Sequence, residues 1–434
     1  MKGSLSVKRK FGLFILPALL AFTGCSSKTS GAANTIGAAN TIGAETSVAT
    51  GEISVATYFD DEFLNMAAKK YEGSHPGTKI NIVSYQTEDG DTEKYSQTIN
   101  TAIMSGGGED IIDVSRILWA KLAEQGKLVD LNGLVSYDPS GYYQNILDAY
   151  LYDGGKRYTV PLSFTFETYS YDAVSGGANA GETVAGNEAL SIDKIVTLAG
   201  RFPDAKLFNG GGAGMPAERL ASLLFYLDFN EYVDIENKKA DIDNDKFISM
   251  LQNIKPLADR LQILGPGETS VIKQHTVYGA AMASDGTLAY DGMFFMEGTG
   301  GQRMFSGSSF MPALNANSGN KGLAADFIQF LLSEEIQSSP ELIFCPVNKN
   351  AAAESSKLIY ESVKAEGYAP EGFDIEKNIV EFNKLADTLN IYEYSDRFIS
   401  GFVDSELERY FNGEQDEKQT AENLQSRLDM YLQE

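Results

Sequence analysis

Three runs of β-branched and apolar residues in the first third of the chain are each followed directly by polar or aromatic residues. In an open α/β sheet, ligands bind outside the C-terminal ends of the parallel strands, so side chains at these positions are candidates for ligand contact. The candidates are Tyr58, Phe59, Asp60, Asp61, Tyr85, Gln86, Ser115 and Arg116. Two structural alternatives stay open, because the aspartate pair is also suited to capping a helix and Tyr85 to core packing.

The elements that position these candidates alternate between strand and helix patterns. Residues 53–57, 79–85 and 110–115 are rich in β-branched and apolar residues, and apolar residues recur at helical spacing after each run. Glycines at 106–108 end the second helical pattern, and Gly126 ends the third. This alternation predicts right-handed crossovers and a parallel sheet.

The composition describes a large acidic protein and excludes several classes. The chain has 434 residues, which gives a prior of about two to three domains. Apolar residues make up 43% and charged residues 22%, so collagen-like, disordered and multi-span membrane proteins are excluded. The formal net charge is −25, and a chain this acidic is repelled by phosphate backbones. We therefore predict no nucleic-acid partner.

The N-terminus resembles a bacterial lipoprotein signal. Basic residues precede an uncharged run over 11–23, which is shorter than the roughly 20 residues of a membrane-spanning helix. Small residues before Cys25 resemble a lipobox, which predicts a signal peptide over 1–24 and a lipid on Cys25. Residues 25–51 are rich in Gly, Ala, Ser and Thr and predict a flexible tether. An ordinary secretory signal with an incidental cysteine is the open alternative.

Motifs for covalent or metal chemistry are absent from the sequence. There is no Gly-x-Ser-x-Gly elbow and no phosphate-binding Gly-x-x-x-x-Gly-Lys-Ser/Thr loop. His75 lies in a turn and His275 stands alone near a loop, so neither has a second histidine at metal spacing. Cys345 has no partner base and is predicted to be a buried small apolar residue. We predict no catalytic residue, no metal site and no cofactor.

Two adjoining stretches resemble a known family. Residues 56–85 and 95–115 are similar to the N-terminal lobe of family 1 extracellular solute-binding proteins of ATP-binding-cassette importers, the group of the sugar receptors. The resemblance recurs in order along the rest of the chain. Its further segments are 124–135, 156–172, 309–337, 345–351 and 410–434.

The resemblance implies an α/β, two-lobed periplasmic-binding-protein-like fold. Each lobe is expected to be a mostly parallel sheet flanked by helices, and a multi-strand hinge joins the lobes. Lobe one is expected over 52–163 with 311–345, and lobe two over 164–310 with 346–434. The lobes of such a receptor close on a ligand by a hinge motion, so the chain is expected to bind and not to catalyse.

Matching the family's segments extends the candidate cleft. Ser163, Phe164, Thr165 and Phe166 lie where the chain leaves lobe one, Asn209 and Gly211 follow a strand of lobe two, and Asp285 lies in a loop near its edge. Sugars need flat apolar faces and bidentate polar groups, which these residue types supply. The sole tryptophan, Trp119, is predicted to lie in the core, so tyrosines and phenylalanines would provide the stacking surfaces.

The resulting prediction is a lipid-anchored receptor on the outer face of the cytoplasmic membrane. It would capture a small solute, a sugar or oligosaccharide, as a monomer and deliver it to an ABC permease. A peptide or other polar solute in the same fold is the first alternative. A lipoprotein glycosidase and a binding lipoprotein without a transporter are the others.

Overall fold

The computed structural model describes residues 50–86, 92–171, 189–209, 215–262, 270–283, 290, 293–308, 310–369, 372–393 and 396–433. The predicted signal segment 1–24, Cys25 and nearly all of the predicted tether 25–51 lie outside the described residues, as do Gly211 and Asp285. No helix within the described ranges is both long and apolar enough to cross a membrane.

The first sheet is built mainly from the N-terminal part of the described chain. Its strands are β1 (Glu52–Thr57), β2 (Lys79–Ser84), β3 (Ile111–Asp113) and β13 (Pro312–Leu314), in the order β13-β3-β1-β2. β1 pairs in parallel with both β2 and β3, whereas β13 returns from later in the chain and pairs antiparallel with β3. The predicted parallel strand–helix unit is confirmed here. The helices that follow its strands are α1 (Glu62–Ser74), α2 (Thr92–Met104) and α3 (Trp119–Glu124).

Local sequence explains both ends of α1. The Asp61 carboxylate accepts a hydrogen bond from the Leu64 backbone N–H at 3.1 Å, which caps the first turn. The helix buries Phe63, Leu64 and Tyr71 against the sheet and ends at Ser74, just before Pro76, which cannot continue it. The capping role of Asp61, one of the alternatives for the aspartate pair, is therefore present in the structure.

The second sheet is centred on one long strand, β6 (Ser163–Tyr171). Its other strands are β7 (Lys206–Asn209), β10 (Ser270–Gly279), β11 (Met282–Ala283), β12 (Met304–Gly307), β14 (Cys345–Pro346) and β15 (Ile391–Tyr392). β6 pairs antiparallel with β10, β12 and β14, and the parallel pairs are β7–β10 and β12–β15.

The direction of these strands corrects one detail of the predicted fold class. The two-lobed α/β class holds, but the second sheet is mixed and its central pairings are antiparallel, where a mostly parallel sheet was expected. The physical reason is that β6 carries the chain away from the first sheet while β12 carries it back. Neighbouring strands that run out and back must be antiparallel.

The remaining elements surround the two sheets. Two short hairpins are formed by β4 (Leu151–Tyr152) with β5 (Lys156–Arg157) and by β8 (Val233–Asp234) with β9 (Lys239–Ala240). The helices are α4 (Gln144–Asp148), α5 (Ile192–Arg201), α6 (Ala217–Leu227), α7 (Phe229–Tyr232), α8 (Asp245–Ile254), α9 (Lys321–Leu331), α10 (Glu334–Gln337), α11 (Lys349–Ala365), α12 (Ile375–Ala386), α13 (Arg397–Phe411) and α14 (Glu417–Gln433). Pro139–Gly141 and Lys255–Arg260 form 3₁₀ turns.

Buried hydrophobic side chains form two separate clusters, and β6 contributes to both. Phe164 and Phe166 belong to the cluster that contains the first sheet and α9. Tyr169 belongs to the cluster that contains α5, α6, α8, α13 and α14. The same strand therefore passes from one hydrophobic core to the other, as a hinge strand must.

The C-terminal part of the chain is shared between these clusters. Residues 349–389 contribute Ala352 and Phe382 to the first cluster. The buried hydrophobic side chains of residues 397–432 belong to the second, and the partly buried Tyr431 packs against both. The segment 346–434 that was assigned to lobe two is thus divided between both cores. The lobe boundaries themselves stay a prediction.

Candidate ligand-binding cleft

Two neighbouring cavities share three lining residues, Arg116, Ser306 and Glu393. The larger has a volume of about 660 Å³ and the smaller about 380 Å³. Since the same side chains line both, the two cavities are adjacent, and we describe them together as one cleft. Its size is within the range of about 300–1,000 Å³ that is typical of small-molecule sites.

The cleft runs between groups from both hydrophobic clusters. The strand ends of the first sheet supply Phe59, Ser115 and Arg116. β6 and β12 supply the floor, and α6 and α13 supply the opposite wall, with Tyr226 and Glu408 among their lining residues. A closing motion of these walls would enclose whatever the cleft holds.

Arg116 is held in the cleft by aromatic rings. Its guanidinium carbon lies 5.1 Å from the ring centroids of both Tyr58 and Phe59, which is within cation–π distance. Its Nε atom is buried and has no hydrogen-bond partner within the described structure. A buried guanidinium N–H without a partner is costly, so a ligand oxygen that accepts from it would gain binding energy.

The turn that presents Arg116 is fixed by a buried carboxylate. Asp113 Oδ1 accepts hydrogen bonds from the backbone N–H of Ser115 at 2.9 Å and of Met311 at 3.1 Å. Burial raises the pKa of Asp113 to about 6, and these two N–H groups act in the opposite direction. The side chain therefore ties the end of β3 to the start of β13 directly beneath the cleft.

Alternate residues of β6 present polar groups to the larger cavity. Thr165, Glu167 and Tyr169 follow one another at a period of two and line the cavity on this strand, together with Phe166. Burial raises the pKa of Glu167, and Arg219, whose guanidinium lies 3.5 Å from the Glu167 carboxylate, lowers it. This ion pair brings β6 and α6 together across the cavity.

Aromatic and sulfur-containing side chains provide the apolar surface of the cavity. Tyr226 is buried and lines it, and its hydroxyl has no hydrogen-bond partner among the described residues. Flat apolar faces next to unpaired polar groups suit a ligand with apolar faces and a polar edge. The other apolar lining residues are Phe166, Leu223, Leu227, Phe295, Met296, Met304 and Phe305.

Five of the predicted site residues line this cleft. Phe59 follows β1, Ser115 and Arg116 lie at the end of β3, and Thr165 and Phe166 lie on β6, so the structure brings together three separate stretches of sequence. Their contact with a ligand stays a prediction. Tyr58 is buried beneath the Arg116 guanidinium and supports it without lining the cavity.

The other predicted site residues lie elsewhere. Asp60 accepts a hydrogen bond from the Asn65 amide, and Tyr85 donates one to Glu109 and packs against the first core. The remaining residues do not line either cavity. Asp61 caps α1, Gln86 is exposed, Ser163 and Phe164 are buried opposite β14, and Asn209 ends β7, while Gly211 and Asp285 lie outside the described residues.

Several lining residues were not identified from the sequence. Glu167 and Tyr169 follow Thr165 at every second position of β6. Their side chains therefore point to the same face of the strand, and counting in twos along the predicted crossing segment would have identified them. Tyr226 and Arg219 lie on a helix, and Glu393 follows the two-residue strand β15, where no local pattern indicates a site.

Cys345, Trp119 and His275 are all buried in the protein. Cys345 is buried, which raises its pKa, as predicted for a core residue. Trp119 is also buried, with its ring centroid 5.6 Å from that of Tyr152, although it lines the smaller cavity too. His275 was expected near a loop but lies within β10, hydrogen-bonded to the Ser170 hydroxyl. Across the described ranges, no group of three His, Cys, Asp or Glu residues could hold a metal ion.

The comparison with known proteins agrees with the predicted resemblance. Residues 56–169 match the family model of bacterial extracellular solute-binding proteins. None of the curated proteins matches the chain.

Solved structures with the same fold cover most of the chain. The GacH receptor of Streptomyces glaucescens, solved unliganded and with acarbose, is 15% identical, with a TM-score of 0.54 over 89% of this chain and 99% of that one. The cyclic alpha-maltosyl-1,6-maltose binding protein from Arthrobacter globiformis is 16% identical, with a TM-score of 0.56 over 88% and 99%. An ABC substrate-binding protein from Listeria monocytogenes in complex with cycloalternan is 16% identical, with a TM-score of 0.56 over 89% and 100%. The resemblance read from the sequence is therefore confirmed, since the chain has the two-lobed fold of these solute-binding proteins and carries the sequence pattern of the bacterial extracellular solute-binding family over residues 56–169.

Proposed function

We propose that this protein is the extracellular solute receptor of an ABC importer and that it captures a saccharide in the cleft around Arg116. The observation that carries the proposal is the cleft itself. It joins the strand ends of the first sheet to α6 and α13 of the second core, and a buried, unpartnered guanidinium N–H lies within it. A site of this kind binds by enclosing its ligand.

The lining chemistry supports a saccharide over an apolar solute. A pyranose ring has apolar faces and a rim of hydroxyls, so it needs aromatic surfaces flanked by donors and acceptors. The cleft supplies both, with Phe166 and Tyr226 as apolar surfaces and with Arg116 and Glu393 as donor and acceptor. The receptors from Streptomyces, Arthrobacter and Listeria bind acarbose, cyclic alpha-maltosyl-1,6-maltose and cycloalternan, which supports the same class of solute.

The crossing strands support a hinge between two lobes. β6 contributes side chains to both hydrophobic cores and pairs with β12, which carries the chain back towards the first sheet. We assign residues 52–163 and 311–345 to lobe one and residues 164–310 and 346–434 to lobe two. Within the second set, residues 349–389 pack on the first core. Ligand would shift the equilibrium towards the closed form by binding both walls.

Delivery, anchoring and the absence of catalysis belong to the same proposal. The closed receptor would dock as a monomer on a membrane permease without making or breaking a bond. A lipid on Cys25 and a tether over 25–51 would hold the folded body at the outer face of the cytoplasmic membrane. Mass spectrometry of the purified protein tests the anchor. A diacylated N-terminal Cys25 is expected, and an uncleaved peptide bond between Gly24 and Cys25 would contradict the lipid anchor.

A thermal-shift screen of the purified full-length protein tests the binding function. The panel consists of mono- and oligosaccharides, with peptides and amino acids as the comparison set. A ligand that binds only the folded form stabilises it by about 2.7 kcal/mol at 100 times its Kd, which is a clear rise in Tm. A shift with saccharides supports the proposal, and a shift with peptides alone would overturn the substrate. Turnover of a chromogenic glycoside would instead identify a glycosidase.

A further inference from the structure

Carboxylates outnumber basic groups in the cleft. The acidic lining residues of the larger cavity are Glu167, Glu218, Glu393, Asp404 and Glu408, and the basic ones are Arg116 and Arg219. The pair Glu167–Arg219 is an ion pair within the cavity wall and neutralises one charge of each sign. The rest of the described lining therefore keeps an excess of negative charge.

Three of these carboxylates have no basic partner among the described residues. Glu218 and Glu408 make no ion pair there, and the carboxylate of Glu393 accepts a hydrogen bond from the Ser306 hydroxyl. A cleft of this composition repels anionic solutes and attracts cations, as does the net charge of −25 on the whole chain.

A second observation points to a bound donor group. The Tyr226 side chain is only 6% exposed, lines the same cavity, and its hydroxyl has no hydrogen-bond partner among the described residues. A phenol oxygen accepts a hydrogen bond as well as donating one. Its ring and that of Phe166 also present faces that attract an ammonium group. Carboxylate, phenol and aromatic face together are the groups that recognise an alkylammonium ion.

The position of Glu393 makes it the best anchor for such an ion. It lines both cavities, so a group beside it is within reach of a sugar ring in either one. We propose that the solute is a basic saccharide, one whose protonated amino group lies against Glu393, and this inference rests on the proposed saccharide-binding function. The guanidinium of Arg116, which lines both cavities too, would then bind ring hydroxyls.

Isothermal titration calorimetry of the full-length protein tests this inference with matched probes. Each probe set consists of a hexosamine, its N-acetyl form and the parent neutral hexose, as monomers and as short oligomers, together with an oligouronide. The free amine is expected to bind about tenfold or more tightly than its N-acetyl form, a difference of about 1.4 kcal/mol. The oligouronide is expected not to bind, and the amine preference is expected to shrink as salt is raised, because it is electrostatic.

The variant Glu393→Gln locates the amine, with Glu361→Gln on the exposed face of α11 as the matched control. Glu393→Gln is expected to bind the amine and N-acetyl forms within about threefold of each other. Glu361→Gln is expected to keep the wild-type preference. A melting curve of each variant checks that it is folded.

Each of the other possible outcomes overturns a defined part of the inference. Equal binding of amine and N-acetyl forms by the wild type overturns the basic-saccharide inference and leaves the saccharide receptor standing. A preference that survives in Glu393→Gln overturns the assignment to this carboxylate. Binding of peptides and of no saccharide overturns the proposed function and this inference together.

Discussion

Replacing Arg116 by methionine is the sharpest test of where the ligand binds. Methionine keeps the length and apolar contact of the side chain over Tyr58 and Phe59 but removes the guanidinium N–H groups. A hydrogen bond from a charged group contributes about 1.5–3 kcal/mol, which corresponds to a rise in Kd of about 10- to 150-fold. The loss of two cation–π contacts costs the fold about 0.5–1 kcal/mol each, so the protein is expected to stay folded.

The assay is calorimetric titration with the saccharide that gives the largest thermal shift. The matched control is Arg201→Met, because the Arg201 guanidinium lies 5.4 Å from the Phe202 ring but does not line the cleft. This control is expected to leave Kd within about twofold. If Arg116→Met also leaves Kd within about twofold while the melting curve shows a folded protein, the ligand does not contact Arg116 and the cleft assignment is refuted.

Three further predictions test the cleft and its support. Tyr226→Phe removes a buried hydroxyl that has no partner in the described structure, so the free energy of unfolding is expected to stay the same or rise slightly while Kd rises about 2- to 10-fold, measured by denaturation and titration of the same sample. The pKa of Asp113 is about 6 in the folded protein against an ordinary 3.8, so between pH 4 and 6 the folded state binds more protons and the free energy of unfolding falls as pH rises. Chemical denaturation is expected to show that Asp113→Asn removes a pH-dependent loss on the order of 3 kcal/mol across that range, and parallel curves for both proteins would contradict this assignment. Phe382→Ala is expected to lower the free energy of unfolding by about 3–5 kcal/mol, because the ring is buried against Phe164 and Phe166; a loss below 1 kcal/mol would show that this core relaxes around the cavity.

The N-terminal part of the fold could be predicted because its signals are local. The alternation of strand and helix patterns predicted the parallel strands β1, β2 and β3. Asp61 and Pro76 marked the two ends of α1, which lies between β1 and β2. The rule that ligands bind at the carboxyl ends of parallel strands pointed to Ser115 and Arg116. The same rule also pointed to Asp60 and Tyr85, which lie off the cleft, because it selects a sheet edge and not a side-chain direction.

The second sheet was harder to predict for a physical reason. Its strands β6, β10 and β12 come from distant parts of the chain, and strand direction depends on where each connection returns. An apolar run has the same appearance in a parallel and in an antiparallel pairing when both faces are buried. The division of residues 349–389 and 397–432 between the two cores has the same origin, since amphipathic helices do not specify which core they cover.

The sequence by itself determined the composition class, the parallel unit at the start of the described chain, the family resemblance and the edge of the sheet where a ligand would bind. Each of these depends on residue types and on spacings within a short stretch of chain. The tertiary structure decided which polar groups share the cleft. Glu167 lies on β6, Arg219 and Tyr226 lie on α6, and Glu393 follows β15, so these groups meet Arg116 only when the chain crosses between the two cores. It also decided the charge of that cleft, because an acidic chain has many carboxylates and only folding selects those that line a cavity without a basic partner.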